Sequence, residues 1–94
     1  MSLNELQMQV KAYDRKKGWS KDTPEEALIH MQEELGEIAR EILKKRGYKK
    51  GGYEPDRLND EMTDLIYLTM KLGNLLDLDL EKGWGRMEKR FEGK

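Results

Sequence analysis

Two acidic pairs carry the chemistry in this sequence: Glu34 with Glu37 inside Glu33-Glu34-Leu35-Gly36-Glu37, and Glu61 with Asp64 inside Glu61-Met62-Thr63-Asp64. Residues three apart on a helix share a face, so each pair points one way. Four carboxylates converging between two helices repel one another unless a cation sits among them. Hard divalent ions take oxygen ligands of this kind, with Mg²⁺ the first expectation and Mn²⁺ a substitute. Glu61 falls within a seam of Leu58, Leu65, Leu68, Leu72 and Leu75, where a leucine is expected. A buried, unpartnered carboxylate is costly, so it must be protonated, paired with a base or bound to a metal. Glu33, Glu34, Glu37 and Glu41 crowd into about two turns, and like charges at these spacings cost roughly 0.2–0.5 kcal/mol per pair. The competing expectation is a salt-bridged bundle in which Glu61 reaches water or pairs with a lysine.

The elements that must position these groups are helices. The first is expected from about Asn4 to Lys17, with Leu6, Val10 and Tyr13 as its buried stripe, stopping near Gly18. The second opens on Thr23-Pro24-Glu25-Glu26, a capping box with proline in the first helical position, and closes in Lys44-Lys45-Arg46-Gly47. Leu28, Met31, Leu35, Ile38 and Ile42 form an apolar face along it, with Glu34, Glu37 and Glu41 one residue out of phase at the edge of the core. Gly36 suggests close approach of a ligand or a neighbouring helix. The glycine-broken stretch Tyr48 to Tyr53 reads as a loop whose two lysines are either solvated or within reach of a phosphate. Pro55 starts a third helix to about Leu76, and a fourth runs from Asp77 or Asp79 to about Phe91, weakened by Gly83 and Gly85. No strand-like alternation is present. The expected fold is all-α, a four-helix antiparallel bundle that self-associates.

Composition narrows the alternatives. Ninety-four residues, 1–94, suit one small domain, and 36% hydrophobic residues are few for a core of that size. Charged residues make up 39%, yet net charge is only −1 and the apolar positions are periodic, which favours a folded chain over disorder. The remaining apolar surface is expected to be covered by a second copy, giving a homodimer or homotetramer. Near-neutral charge argues against a general nucleic-acid or membrane binder. The absence of cysteine removes disulfides and thiolate zinc sites. With neither a leader-like start nor a run of about 20 apolar residues, a cytoplasmic setting is the expectation.

The order and context of these motifs resemble the MazG-like family of all-α nucleoside triphosphate pyrophosphohydrolases, whose pattern is Glu-x-x-Glu on one helix and Glu-x-x-Asp on the next. The likeness runs from about Trp19 to Phe91. It takes in Met31-Gln32-Glu33-Glu34-Leu35-Gly36-Glu37-Ile38-Ala39, Asp60-Glu61-Met62-Thr63-Asp64-Leu65-Ile66-Tyr67-Leu68 and Leu78-Asp79-Leu80-Glu81. The resemblance implies Mg²⁺-dependent cleavage between the α- and β-phosphates, giving a monophosphate and pyrophosphate in clearance of unwanted nucleotides. It further implies that Glu34, Glu37, Glu61 and Asp64 hold the metal. Glu33 and Glu37 are the candidate proton acceptors. Arg86, Lys89 and Arg90, in a segment similar to the family's basic terminal helix, are expected near substrate phosphates. Trp19 has two readings, a stacking face for a nucleobase or a lid on one end of the core, and His30, one turn before Glu34 on the carboxylate side, is either a substrate contact or a bystander. Gly83-Trp84-Gly85 departs from the family pattern, where a polar residue is often found. The alternatives are phosphoribosyl-ATP pyrophosphohydrolase, a relative with the same fold, and a bundle that only binds a nucleotide or a partner.

Overall fold

The computed structural model describes residues 1–93, and within them the chain is all-α: α1 (Leu3–Lys17), α2 (Pro24–Lys45), α3 (Pro55–Leu75) and α4 (Leu80–Glu92). Each helix starts where local chemistry lets it. Ser2 and Thr23 cap α1 and α2 in full capping boxes with Glu5 and Glu26. Asp79 accepts from the Lys82 N–H at the head of α4, while Glu54 leads α3 with no side-chain cap and instead sits 3.3 Å from Arg57. Helix α1 stops at Gly18, whose φ of +78° is open to glycine, and α2 exits through Gly47 at φ +79°. Gly83 and Gly85 do not interrupt α4, which runs through both.

The long pair α2 and α3 forms the body of the bundle, α1 packs on α3, and α4 docks chiefly on α1. Polar bonds fix the corners. The Gln7 side chain donates to Asn74 Oδ1 at 3.1 Å and to the Leu78 carbonyl at 2.9 Å, and accepts from the Leu80 N–H at 3.1 Å. Asn74 returns a bond to the Gln7 carbonyl at 2.9 Å. Glu81 on α4 reaches back to the first turn of α1, accepting from the Leu3 N–H at 3.2 Å and from the Asn4 amide at 3.0 Å. Gly73 permits this corner: a Cβ there would meet Gln7 Nε2 and Leu80 Cδ1, both at 3.1 Å.

Burial departs from the sequence expectation in a consistent way. In α1 the inward row is Gln7, Val10 and Asp14, while Leu6 is half-buried and Tyr13 exposed. In α2 the row against α3 contains buried Ala27 and Glu41, with Met31, Glu34 and Ile38 half-buried between them. Leu28, Leu35 and Ile42, expected at the core, instead lie outward at 49%, 57% and 47% exposure. Glu34 and Glu41 thus share the interhelical seam with Ala27, Met31 and Ile38, and the rest of the expected apolar row is turned outward. Gly36 faces open space, so no helix approaches it closely.

Few apolar side chains are fully enclosed: among the described residues, Val10, Ala27 and Met70 are buried. The accessible surface is 7385 Å², about 1,700 Å² above the size trend for a folded monomer of 11.1 kDa. The radius of gyration, 15.7 Å, likewise exceeds the roughly 12 Å of a compact chain this long. No described helix is long and apolar enough to cross a membrane.

Candidate functional site

The antiparallel pairing of α2 and α3 brings the two acidic motifs face to face. Glu34 lies close enough to Glu37, Asp64 and Glu61 to feel all three charges, and Glu61 does the same with Glu37 and Glu41. Burial pushes the Glu34 carboxyl above its ordinary value, and the neighbouring carboxylates of Glu37, Asp64 and Glu61 push it further. Glu61 is likewise raised, first by burial and then by Glu37 and Glu41, with Arg57 opposing in part. Glu34 Oε2, Glu61 Oε1 and both oxygens of Glu41 are enclosed and have no hydrogen-bond partner. Lys44 stands 3.3 Å from Glu41 Oε2, an ion pair without hydrogen-bond alignment. Anionic oxygens enclosed in this way fit a hard cation. In the present side-chain arrangement, no three such groups among the described residues close on a single point.

Two hollows flank the cluster. One, of about 330 Å³, is lined by Trp19, His30, Glu34, Asp64, Leu68 and Lys71, with Asp22 and Tyr67 completing the wall. The other, of about 280 Å³, is lined by Glu37, Glu41, Glu61, Arg40, Lys44 and Arg57. The four expected metal ligands are therefore divided, Glu34 and Asp64 toward the first hollow, Glu37 and Glu61 toward the second. Trp19 is 47% exposed and stands in the wall of the first hollow, so it is not a lid on the core. His30 is in the same wall, and its Nδ1 lies 3.9 Å from Glu33. Glu33 itself points to solvent and borders neither hollow.

Arg86, Lys89 and Arg90 are exposed on α4, which docks on α1, and they border neither hollow within one chain. Trp84 is also exposed. Tyr53 packs beneath Lys45, whose Nζ is 5.2 Å from the ring centre.

Sequence reasoning missed a second polar group in the first hollow. Lys71, only 4% exposed, bonds Asp22 and lies 3.6 Å from Asp14. The Tyr67 hydroxyl donates to Asp14 at 2.7 Å, and burial together with Asp14 holds its pKa far above the usual range. The signal was present: Asp64, Tyr67 and Lys71 follow one another by three and four, on the face that carries Glu61. The run of leucines on α3 masked it.

Taken together, these features define a small helical bundle with an anionic seam opening into a cleft that is aromatic on one side. No known family pattern matches the chain, and no solved structure does. Among curated proteins it is similar to the "uncharacterized protein YpjD" of Bacillus subtilis (strain 168), with 31% identity over 94 residues that cover 96% of this chain and 83% of the relative. The chain belongs to the family of that protein.

Proposed function

We propose that the chain is a Mg²⁺-dependent nucleotide pyrophosphohydrolase that cleaves nucleoside triphosphates to a monophosphate and pyrophosphate. The observation that supports this reading is that α2 and α3 bring Glu37, Glu61 and Asp64 within range of the Glu34 charge, with enclosed, partnerless oxygens on Glu34 and Glu61. For structure alone, the bundle would gain by replacing Glu34 and Glu61, whose enclosed oxygens lack partners, with apolar residues. The MazG-like resemblance of the same motifs supplies the reaction class.

Glu34, Glu37, Glu61 and Asp64 are the residues that would hold Mg²⁺, which when bound neutralises phosphate charge and sharpens a water for attack. Glu37 is better placed than Glu33 to take the proton from a water attacking the α-phosphorus, because it borders the hollow shared with Glu61. Arg40, Lys44 and Arg57 around that hollow offer cations to a polyphosphate. The Trp19 face offers a surface for the base on the other side.

The same reading includes self-association. The excess surface of about 1,700 Å² per chain matches one side of an obligate interface. The outward row Leu28, Leu35 and Ile42 repeats every seven residues, the period at which two helices pack along their length. A second copy would also offer the Arg86, Lys89 and Arg90 segment a route to the site that one chain does not provide.

The test is release of pyrophosphate from a panel of nucleoside triphosphates with and without Mg²⁺, for the wild type, Glu37→Gln and Asp64→Asn. Metal-dependent release that is lost in both variants is the expected result. No release from any substrate, while Mg²⁺ still raises the melting temperature, would leave a metal-binding bundle and overturn the enzymatic reading.

A further inference from the structure

The loop between α1 and α2 folds into the wall of the first hollow, and its shape is specified from both ends. The Trp19 N–H bonds the Asp14 carbonyl at 2.7 Å, and the Asp22 N–H bonds the Trp19 carbonyl at 3.2 Å, so Trp19 and Asp22 are the two ends of one tight turn. Lys71 fastens that turn to α3. Its Nζ bonds Asp22 Oδ2 and lies 5.8 Å from the centre of the Trp19 ring. Lys71 is in turn held by Asp14, which Tyr67 also bonds. A buried lysine between two carboxylates and an indole has little freedom to move. The turn is therefore a fixed part of the wall, and an aromatic face and a carboxylate stand side by side on it.

Only Oδ2 of Asp22 is bonded to Lys71, and the Asp22 side chain is 36% exposed where it borders the hollow. Oδ1 accepts no hydrogen bond among the described residues. A base stacked on the part of the Trp19 ring that Lys71 leaves uncovered would share the hollow with that carboxylate. A carboxylate rewards an edge that donates and rejects one that presents a carbonyl oxygen, as when Asp or Glu accepts from the cytosine amino group. The hollow, at about 330 Å³, lies at the lower end of the size range for small-molecule sites.

Resting on the nucleotide reading above, we propose that Asp22 is a specificity-determining residue that selects bases carrying an exocyclic amino group over uracil and thymine. Lys71 is its positioning residue: it neutralises one oxygen and aims the other. Cytosine and uracil share ring size and differ at the amino or keto group, so they isolate this contact. A hydrogen bond to a charged group commonly changes affinity by about tenfold or more, which sets the expected preference.

The experiment compares CTP with UTP as substrates, and CMP with UMP as quenchers of Trp19 fluorescence in a Trp84→Phe background, for the wild type and Asp22→Asn. Asparagine keeps an acceptor for Lys71 and adds a donor, so the turn survives while its polarity is mixed. The expected result is a wild-type preference for CTP of about tenfold or more in kcat/KM, matched by tighter CMP quenching, falling to within about threefold of parity in Asp22→Asn. Equal use of CTP and UTP by the wild type, or equal loss of both in the variant, overturns the proposal. If no triphosphate is cleaved but CMP still quenches more strongly than UMP, the base contact stands and the catalytic reading falls. If neither monophosphate quenches, the proposal falls whatever the turnover.

Discussion

Replacing Glu61 with leucine sets the chemistry of the seam against its packing. The glutamate is 9% exposed, its Oε1 has no partner, and Glu37 and Glu41 both raise the cost of its charge. Leucine is similar in length and continues the row of Leu58, Leu65 and Leu68. Removing an unsatisfied buried acceptor is worth about 1–3 kcal/mol, and relief from like charges adds a few tenths. For a chain of this size, each kcal/mol moves the melting temperature by roughly 4–8 °C, so a rise of about 5–25 °C is expected in metal-free buffer at neutral pH. The pH response follows from the direction of the shifts. Because burial raises the folded-state pKa of Glu61 and Glu34, the folded chain keeps protons that the unfolded chain has released. Their contribution to stability is complete below the unfolded carboxylate value and is lost as pH rises through the raised one. The wild type should therefore melt higher at mildly acidic than at neutral pH, and Glu61→Leu should show a weaker dependence. Circular-dichroism melting at matched protein concentration, in chelator and then in Mg²⁺, reads all of this. A variant that melts below the wild type in chelator would mean that Glu61 is a satisfied structural anion, and the argument from its orphaned oxygen would fail.

Other substitutions probe separate contacts. Lys71→Met leaves buried Asp14 without its cation, and a loss of about 3 kcal/mol is expected in denaturant unfolding, larger than for an exposed lysine such as Lys16. Gly73→Ala pushes a methyl against Gln7 and Leu80 at 3.1 Å, and should destabilise by about 1–2 kcal/mol, loosening α4 first in hydrogen exchange. Leu35→Glu adds charge to the outward apolar row and should lower the sedimentation mass toward that of one chain; an unchanged mass would place any interface elsewhere. Saturating Mg²⁺ at about 100 times its dissociation constant should stabilise the wild type by about 2.7 kcal/mol and Asp64→Asn by much less, as read by thermal shift.

The helices were legible because their ends are written in short-range chemistry. Thr23 with Glu26, Gly18 and Asp79 act over three or four residues, and that is the range a sequence displays. The acidic motifs were legible for the same reason, since i and i+3 must share a face. Which face turns inward was harder to read. Leu28, Leu35 and Ile42 announce a core by hydrophobicity, yet the α2–α3 seam takes Ala27, Glu34 and Glu41. Hydropathy ranks faces by their wish to leave water and is blind to whether the covering surface lies in the same chain. The Lys71 network was hidden differently. It joins Asp14, Asp22 and Tyr67 from α1, the following loop and α3, and long-range pairing leaves no periodic trace.

The thin interior has a further consequence. If, as proposed, a second copy covers the outward row of α2, then with so few apolar side chains enclosed by one chain much of the driving force for ordering that helix comes from the neighbour. Folding and assembly would then be one equilibrium, and protein concentration a thermodynamic variable of the proposed site. Specific activity would not be a constant of the molecule. Diluted below the dissociation constant of its contacts, the preparation would lose turnover per chain. It would recover that turnover on concentration, and its melting temperature would climb with the logarithm of how much protein is in the tube.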